Sequence, residues 1–166
     1  NYDAAQLEDH EDTHLGNLVQ DCLAICGFRL KGVDVQLQLD DESAVSVHRT
    51  HLAQVISNLI SNAVDAMSEQ SDEGTESKVL RVSTESQTKN GQAGVLVSVE
   101  DNGKGVPEDL REDIFKPFFT TKDVGRGTGI GLAVSKRIVD DHAGDIAVTS
   151  SESLGGARFK VWLPSS

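Results

Sequence analysis

Long apolar runs are missing from this chain: no hydrophobic stretch approaches the ~20 residues that cross a bilayer as a helix. The opening residues Asn1, Tyr2 and Asp3 carry no signal-peptide pattern, and the chain reads as a fragment of a longer protein. Aromatic residues make up only 4%, so a core must be built from Val, Leu, Ile and Ala. Positive charge is in deficit, with 15 Lys and Arg against 27 Asp and Glu and a formal charge of -12. Phosphate backbones and anionic membranes repel such a surface, which argues against nucleic acid and direct membrane contact. A mononucleotide remains open, because backbone N–H groups, a few cations and a divalent metal can hold one locally. Cysteine is nearly absent. Cys22 and Cys26 stand four apart in a helical pattern and read as a partly buried pair rather than a disulfide, so the expected location is the cytoplasm.

What is present suits one domain. The 166 residues are 37% hydrophobic and 25% charged, enough for a single core. Residues 1–12 are polar and acidic and read as a tail or the end of a preceding helical domain, with the domain proper at 13–166. Helical periodicity runs through 14–28, 49–67 and 131–142. Strict alternation marks a strand at 33–39, and further strands are expected at 44–47, 79–86, 95–100, 146–149 and 157–163. Asn90-Gly91 between two of them reads as a hairpin turn, and Pro107 as the start of a short helix. This order predicts a two-layer α/β sandwich: a mixed, mostly antiparallel five-stranded sheet covered by three helices.

Three segments carry candidate chemistry. On the long helix, Leu52, Val55, Ile56, Leu59, Ile60, Ala63, Val64 and Met67 fill one apolar arc, while Asn58, Asn62 and Asp65 form a polar stripe with His51. A solvated face accounts for such a stripe. Two asparagines there are nevertheless not what helix propensity selects, and an amide oxygen suits a hard cation such as Mg²⁺. The run Asp101-Asn102-Gly103-Lys104-Gly105 ends a buried-looking strand; it fits an ordinary turn, or a carboxylate accepting from an exocyclic amine with glycines letting a flat ligand close in. The segment from Gly125 to Leu132 leads into a helix whose N-terminal amides favour an anion, with Lys122 and Arg126 as nearby cations. It matches neither a P-loop nor a dinucleotide fingerprint, and a loop without a ligand fits it equally. His10-Glu11-Asp12-Thr13-His14 matches the H-E-x-x-H zinc pattern, but lacks the apolar support an ordered metal-binding helix needs, so no zinc site is expected.

In this order the segments resemble the GHKL nucleotide-binding family of gyrase, heat-shock chaperone ATPases, MutL and histidine kinases, from about His14 to Leu163. Residues 54–66 resemble the N box of sensor histidine kinases, 101–105 the G1 box, 114–122 the F box of the nitrogen-regulator type, 127–132 the G2 box, and Gly155-Gly156 the glycine pair before the closing strand. The resemblance implies ATP and Mg²⁺ as cofactors, with Asn62 as metal ligand and Asp101 bonded to the adenine amino group. It implies an ATP site of Asn58, Asn62, Asp65, Asp101, Gly103, Gly105, Phe118, Lys122, Arg126, Gly127, Thr128, Gly129, Gly131 and Leu132. A lid over ATP would be anchored by Phe118 and Phe119. Where the ATPases place a water-activating glutamate this chain has Asn58, which cannot take a proton, so ATP should be held rather than hydrolysed.

The implied function is that of the ATP-binding catalytic domain of a sensor histidine kinase. Its expected partners are the dimerisation and histidine-phosphotransfer domain of the same kinase and a response regulator receiver domain. The acceptor histidine is not expected in this chain: His10 lies too close to the N box to leave room for a helical hairpin. The parent kinase is compatible with a membrane anchor. A GHKL ATPase clamp and a degenerate module without nucleotide are the alternatives. His48 stands where many kinases carry an acidic residue, and local capping of the long helix is its simplest role.

Overall fold

Alternation and periodicity produce the elements in the expected order. In the computed structural model, which describes residues 9–40, 43–70, 77–119 and 131–166, strand β1 (His10–Thr13) leads into helix α1 (Leu15–Ile25) and a 3-10 turn, Gly27–Leu30. Strands β2 (Val33–Leu39) and β3 (Val45–His48) follow, and β3 passes without a break into helix α2 (Arg49–Gln70). Then come β4 (Lys78–Ser86), β5 (Gly94–Asp101), 3-10 turns Glu108–Leu110 and Asp113–Phe115, helix α3 (Gly131–Asp141), β6 (Asp145–Ser150) and β7 (Ala157–Pro164). The five-stranded sheet has the order β2-β4-β5-β7-β6, parallel only between β2 and β4. Among the described residues three helices supply its apolar cover, as expected. The short helix expected from Pro107 is two separate 3-10 turns instead.

The core forms between α2 and the inner face of the sheet. Leu52, Val55, Ile56, Leu59, Ile60, Ala63 and Met67 of α2 are buried against Leu80 and Val82 of β4, Val95, Val97 and Val99 of β5, and Phe159, Val161 and Leu163 of β7. Neighbouring strands align these residues: Val99 lies opposite both Val82 and Phe159, and Val97 opposite Val161. Asp101 continues the phase of Val95, Val97 and Val99, so it ends β5 on the core-facing side. Between β4 and β5 the hairpin turn is the expected one, with Asn90 and Gly91 both at positive φ (51° and 81°). Both cysteines are free; Cys22 is buried and Cys26 half-buried.

Part of the stretch 1–12, expected to be a tail or the end of a preceding helical domain, belongs to strand β1. His10–Thr13 pairs antiparallel with β3, from His10 opposite His48 to Thr13 opposite Val45, making a second, two-stranded sheet. The H-E-x-x-H residues are thus spread over a strand and the N-cap of α1. They do not share one helical face, the geometry that zinc chemistry requires.

Histidines knit this small sheet to the helices. His48 caps α2, its Nδ1 accepting from the His51 N–H at 3.3 Å. His142, just past α3, accepts the His48 backbone N–H on Nε2 at 3.1 Å. Its Nδ1 lies 2.7 Å from the Ile138 carbonyl oxygen and therefore carries the proton. The His10 ring stacks on His142 with centroids 4.8 Å apart, and His48 stacks on His51 at 3.7 Å.

Burial pushes the His142 imidazole below its ordinary value of 6.5, reinforced by His10 and His51 and opposed by the Ile138 carbonyl and Asp141. A histidine depressed in the fold binds its proton more readily when unfolded. Its contribution to stability is therefore complete above about pH 6.5 and declines as the pH falls below that value. Urea denaturation at a series of pH values should show wild type losing stability on that descent and His142→Asn losing less. Parallel profiles would refute the assignment.

Candidate functional site

Helix α2 brings its polar stripe to the end of β5. At Gly103 a Cβ would stand 2.8 Å from the Ala66 carbonyl carbon, so the turn after Asp101 lies directly on the α2 backbone and only glycine permits it. Ala66 is one helical turn beyond Asn62, which is half-buried. Asn102 secures the other side of the turn. Its Oδ1 accepts the Val79 N–H at 3.0 Å and its Nδ2 donates to the Ser77 carbonyl at 2.7 Å. Gly105 turns the chain outward at φ +74°.

Asp101 is 1% exposed. Its Oδ1 accepts from the backbone N–H of Gly103 at 2.8 Å and of Ala157 at 3.3 Å. Its Oδ2 accepts from none of the described residues. Burial pushes this carboxyl above the ordinary aspartate value, and the two N–H donors hold it partly down. A buried carboxylate oriented through one oxygen leaves the other fixed as an acceptor, which suits an amine donor in an apolar slot.

Gly156 is essential to that arrangement, although the set of residues implied by the sequence omits it. A Cβ there would fall 2.3 Å from Asp101 Oδ1 and 2.6 Å from the Gly103 nitrogen. The adjacent glycines Gly155 and Gly156 were the available signal. Which of the pair matters depends on the register of β7 against β5.

Asn58 joins two elements. Its Nδ2 donates to the Gly131 carbonyl and to Ser135 Oγ, both at 3.3 Å, tying α2 to the first turn of α3. Ser135, fully buried, is a second residue that sequence reasoning missed. Leu132 is half-buried and packs on the core. Asp65, on the same stripe, pairs with Arg29, whose Nη2 lies 2.6 Å from Asp65 Oδ1.

Of the two expected lid anchors, Phe119 packs against the core. Phe118 does not: it sits at φ 66° and is 75% exposed. Lys122, Arg126, Gly127, Thr128 and Gly129 lie outside the described residues.

An open groove of about 760 Å³ occupies the outer face of the sheet, among Glu85, Glu100, Arg111 and Arg158. It shares no residue with the α2 stripe or the Asp101 turn. The outer groove is thus separate from the candidate site.

Comparison with known proteins gives the family. Residues 47–166 match the family described as histidine kinase-, DNA gyrase B-, and HSP90-like ATPases. The signal transduction histidine-protein kinase AtoS of Escherichia coli (strain K12) is 38% identical over 158 residues, 93% of this chain. That match spans 24% of AtoS, so the chain corresponds to about a quarter of that relative. The solved catalytic domain of histidine kinase ThkA superposes with a TM-score of 0.78 at 30% identity, covering 94% of this chain and 95% of that one. ThkA in complex with the response regulator protein TrrA superposes at 0.73 with 27% identity, covering 95% of this chain and 42% of that one. The turn packed on the asparagine helix, the buried aspartate it orients and these likenesses agree: the chain belongs to the histidine kinase-, DNA gyrase B- and HSP90-like ATPases, and within them to the catalytic ATP-binding domains of sensor histidine kinases.

Proposed function

We propose that this domain binds ATP with Mg²⁺ in the cleft between α2 and the end of β5. As part of a longer kinase in the cytoplasm, it would pass the γ-phosphoryl group to a histidine on a dimerisation domain outside this chain. A response regulator receiver domain is the onward acceptor; the ThkA–TrrA complex supports a partner of that kind. The observation that carries the reading is Asp101, buried and aimed by Gly103 and Ala157 beside the helix that presents Asn62.

Each residue has a limited task. Asp101 Oδ2 accepts the adenine amino group, and Gly103 and Gly105 let the base approach the backbone. Asn62 offers a neutral oxygen suited to Mg²⁺. Among the described residues no cluster of three His, Cys, Asp or Glu side chains could hold a metal; on this reading phosphate oxygens supply the charged ligands beside Asn62. When bound, the metal would neutralise charge on the phosphates. Lys122, Arg126 and the amides of Gly127, Thr128 and Gly129, which precede Gly131 and Leu132 in the sequence, would complete the phosphate contacts. Phosphoryl transfer depends chiefly on such positioning and charge neutralisation.

Asn58 distinguishes this reading from an ATPase clamp, because an amide tied to Gly131 and Ser135 is no general base. Steady ATP hydrolysis by the isolated domain would favour the clamp. Calorimetry with a non-hydrolysable ATP analogue tests the reading itself, and no heat at millimolar nucleotide with Mg²⁺ would leave only a degenerate module. Asn62→Ala should lower affinity about tenfold with Mg²⁺ present and leave adenosine binding unchanged. An equal loss for adenosine would remove Asn62 from the metal.

A further inference from the structure

The polar stripe on α2 contains an anomaly. Asn58 and Asn62 are neutral, but the third member, Asp65, is a carboxylate in a domain whose formal charge is already -12. At 100° per residue Asn62 lies between Ala66, about 40° to one side, and Asp65, about 60° to the other. Ala66 carries the Asp101 turn, so on a regular helix Asp65 falls on the other side of Asn62, at the far edge of the proposed nucleotide cleft. Unneutralised, it would repel the triphosphate.

Arg29 meets that charge. It projects from the 3-10 turn Gly27–Leu30 and reaches across to α2, where Nη2 donates to Asp65 Oδ1 at 2.6 Å and Nη1 to Ser61 Oγ. Ser61 and Asp65 are four residues apart, so the planar guanidinium spans one helical turn with two directed bonds. Lysine, a single point charge, could not reproduce that fork. The ion pair is 47% and 28% exposed, and pairs this wet contribute little to folding.

We infer that Arg29 is a positioning residue of the nucleotide site, holding Asp65 beside Asn62 and cancelling its charge against the phosphates. The inference rests on the proposed ATP reading. It assigns Asp65 to the electrostatics of the cleft rather than to direct contact with ATP.

The test is calorimetry of wild type, Arg29→Gln, Asp65→Asn and the double variant with an ATP analogue plus Mg²⁺, ADP and adenosine. Arg29→Gln should weaken the ATP analogue about tenfold, ADP by less and adenosine not at all, with the melting temperature little changed. Asp65→Asn alone should strengthen the ATP analogue. The double variant should return to within about threefold of wild type, because removing the carboxylate removes the need for the cation. Three results overturn the inference: unchanged ATP affinity in Arg29→Gln, a parallel loss for adenosine, or a double variant as weak as Arg29→Gln. The last would make Arg29 a phosphate ligand or a packing residue. Wild type that binds ATP in an Asp101-dependent way keeps the functional reading intact whatever Arg29 does.

Discussion

Asp101→Asn keeps the fold and loses the nucleotide, with affinity for an ATP analogue falling at least about a hundredfold. The backbone N–H groups of Gly103 and Ala157 both point at Oδ1, so the amide must place its own oxygen there. Its NH₂ then occupies the position of Oδ2 and presents donors where the adenine amine needs an acceptor. Stability should be retained or improved, since burial already disfavours the ionised carboxylate. The pH dependence has a definite sign. Because the carboxyl is raised in the fold, the folded state takes up its proton first, so acid favours the fold at this position. Nucleotide binding weakens over the same range, starting above the ordinary aspartate value of 3.8. Calorimetry paired with urea denaturation separates the two effects. Binding within a few-fold of wild type would falsify the adenine assignment.

Gly156→Ala should damage the same contact from the other side. The added methyl meets Asp101 Oδ1 at 2.3 Å and the Asp101 carbonyl oxygen at 2.5 Å, and backbone cannot yield as a side chain can. Destabilisation of about 1–3 kcal/mol is expected, together with loss of nucleotide binding. Gly144→Ala is the matched control. Its Cβ would lie 2.3 Å from the Trp162 carbonyl oxygen, at the turn between α3 and β6, away from Asp101. It should cost similar stability while the folded fraction still binds ATP. If Gly156→Ala binds normally, the aspartate tolerates displacement and its orientation does not set affinity.

Much of this is legible in the sequence. The apolar positions from Leu52 to Met67 follow helical spacing and all eight are buried, which fixed the face of α2 and left Asn58, Asn62 and Asp65 off it. Val95, Val97 and Val99 set a strand phase that Asp101 continues, so even its burial was implicit in alternation. Strand β1 was hidden for a physical reason. His-Glu-Asp-Thr has no apolar alternation, only Thr13 of the four is buried, and its partner β3 lies more than thirty residues away. The Arg29–Asp65 pair spans 36 residues and depends on how the 3-10 turn packs beside α2. Phe118 and Phe119 are chemically alike, and the backbone alone decides which turns inward, a choice that side-chain chemistry does not encode.

The two-stranded sheet has a mechanical side. Because β1 runs antiparallel to β3, the residue at its entrance, His10, is paired with His48, the last before α2 begins. Tension arriving through residue 9 therefore loads that outermost rung first, and the rung is joined to the asparagine helix with no slack between. A pull applied at residue 9 would reach α2 through the His10–His48 rung without first crossing the five-stranded sheet.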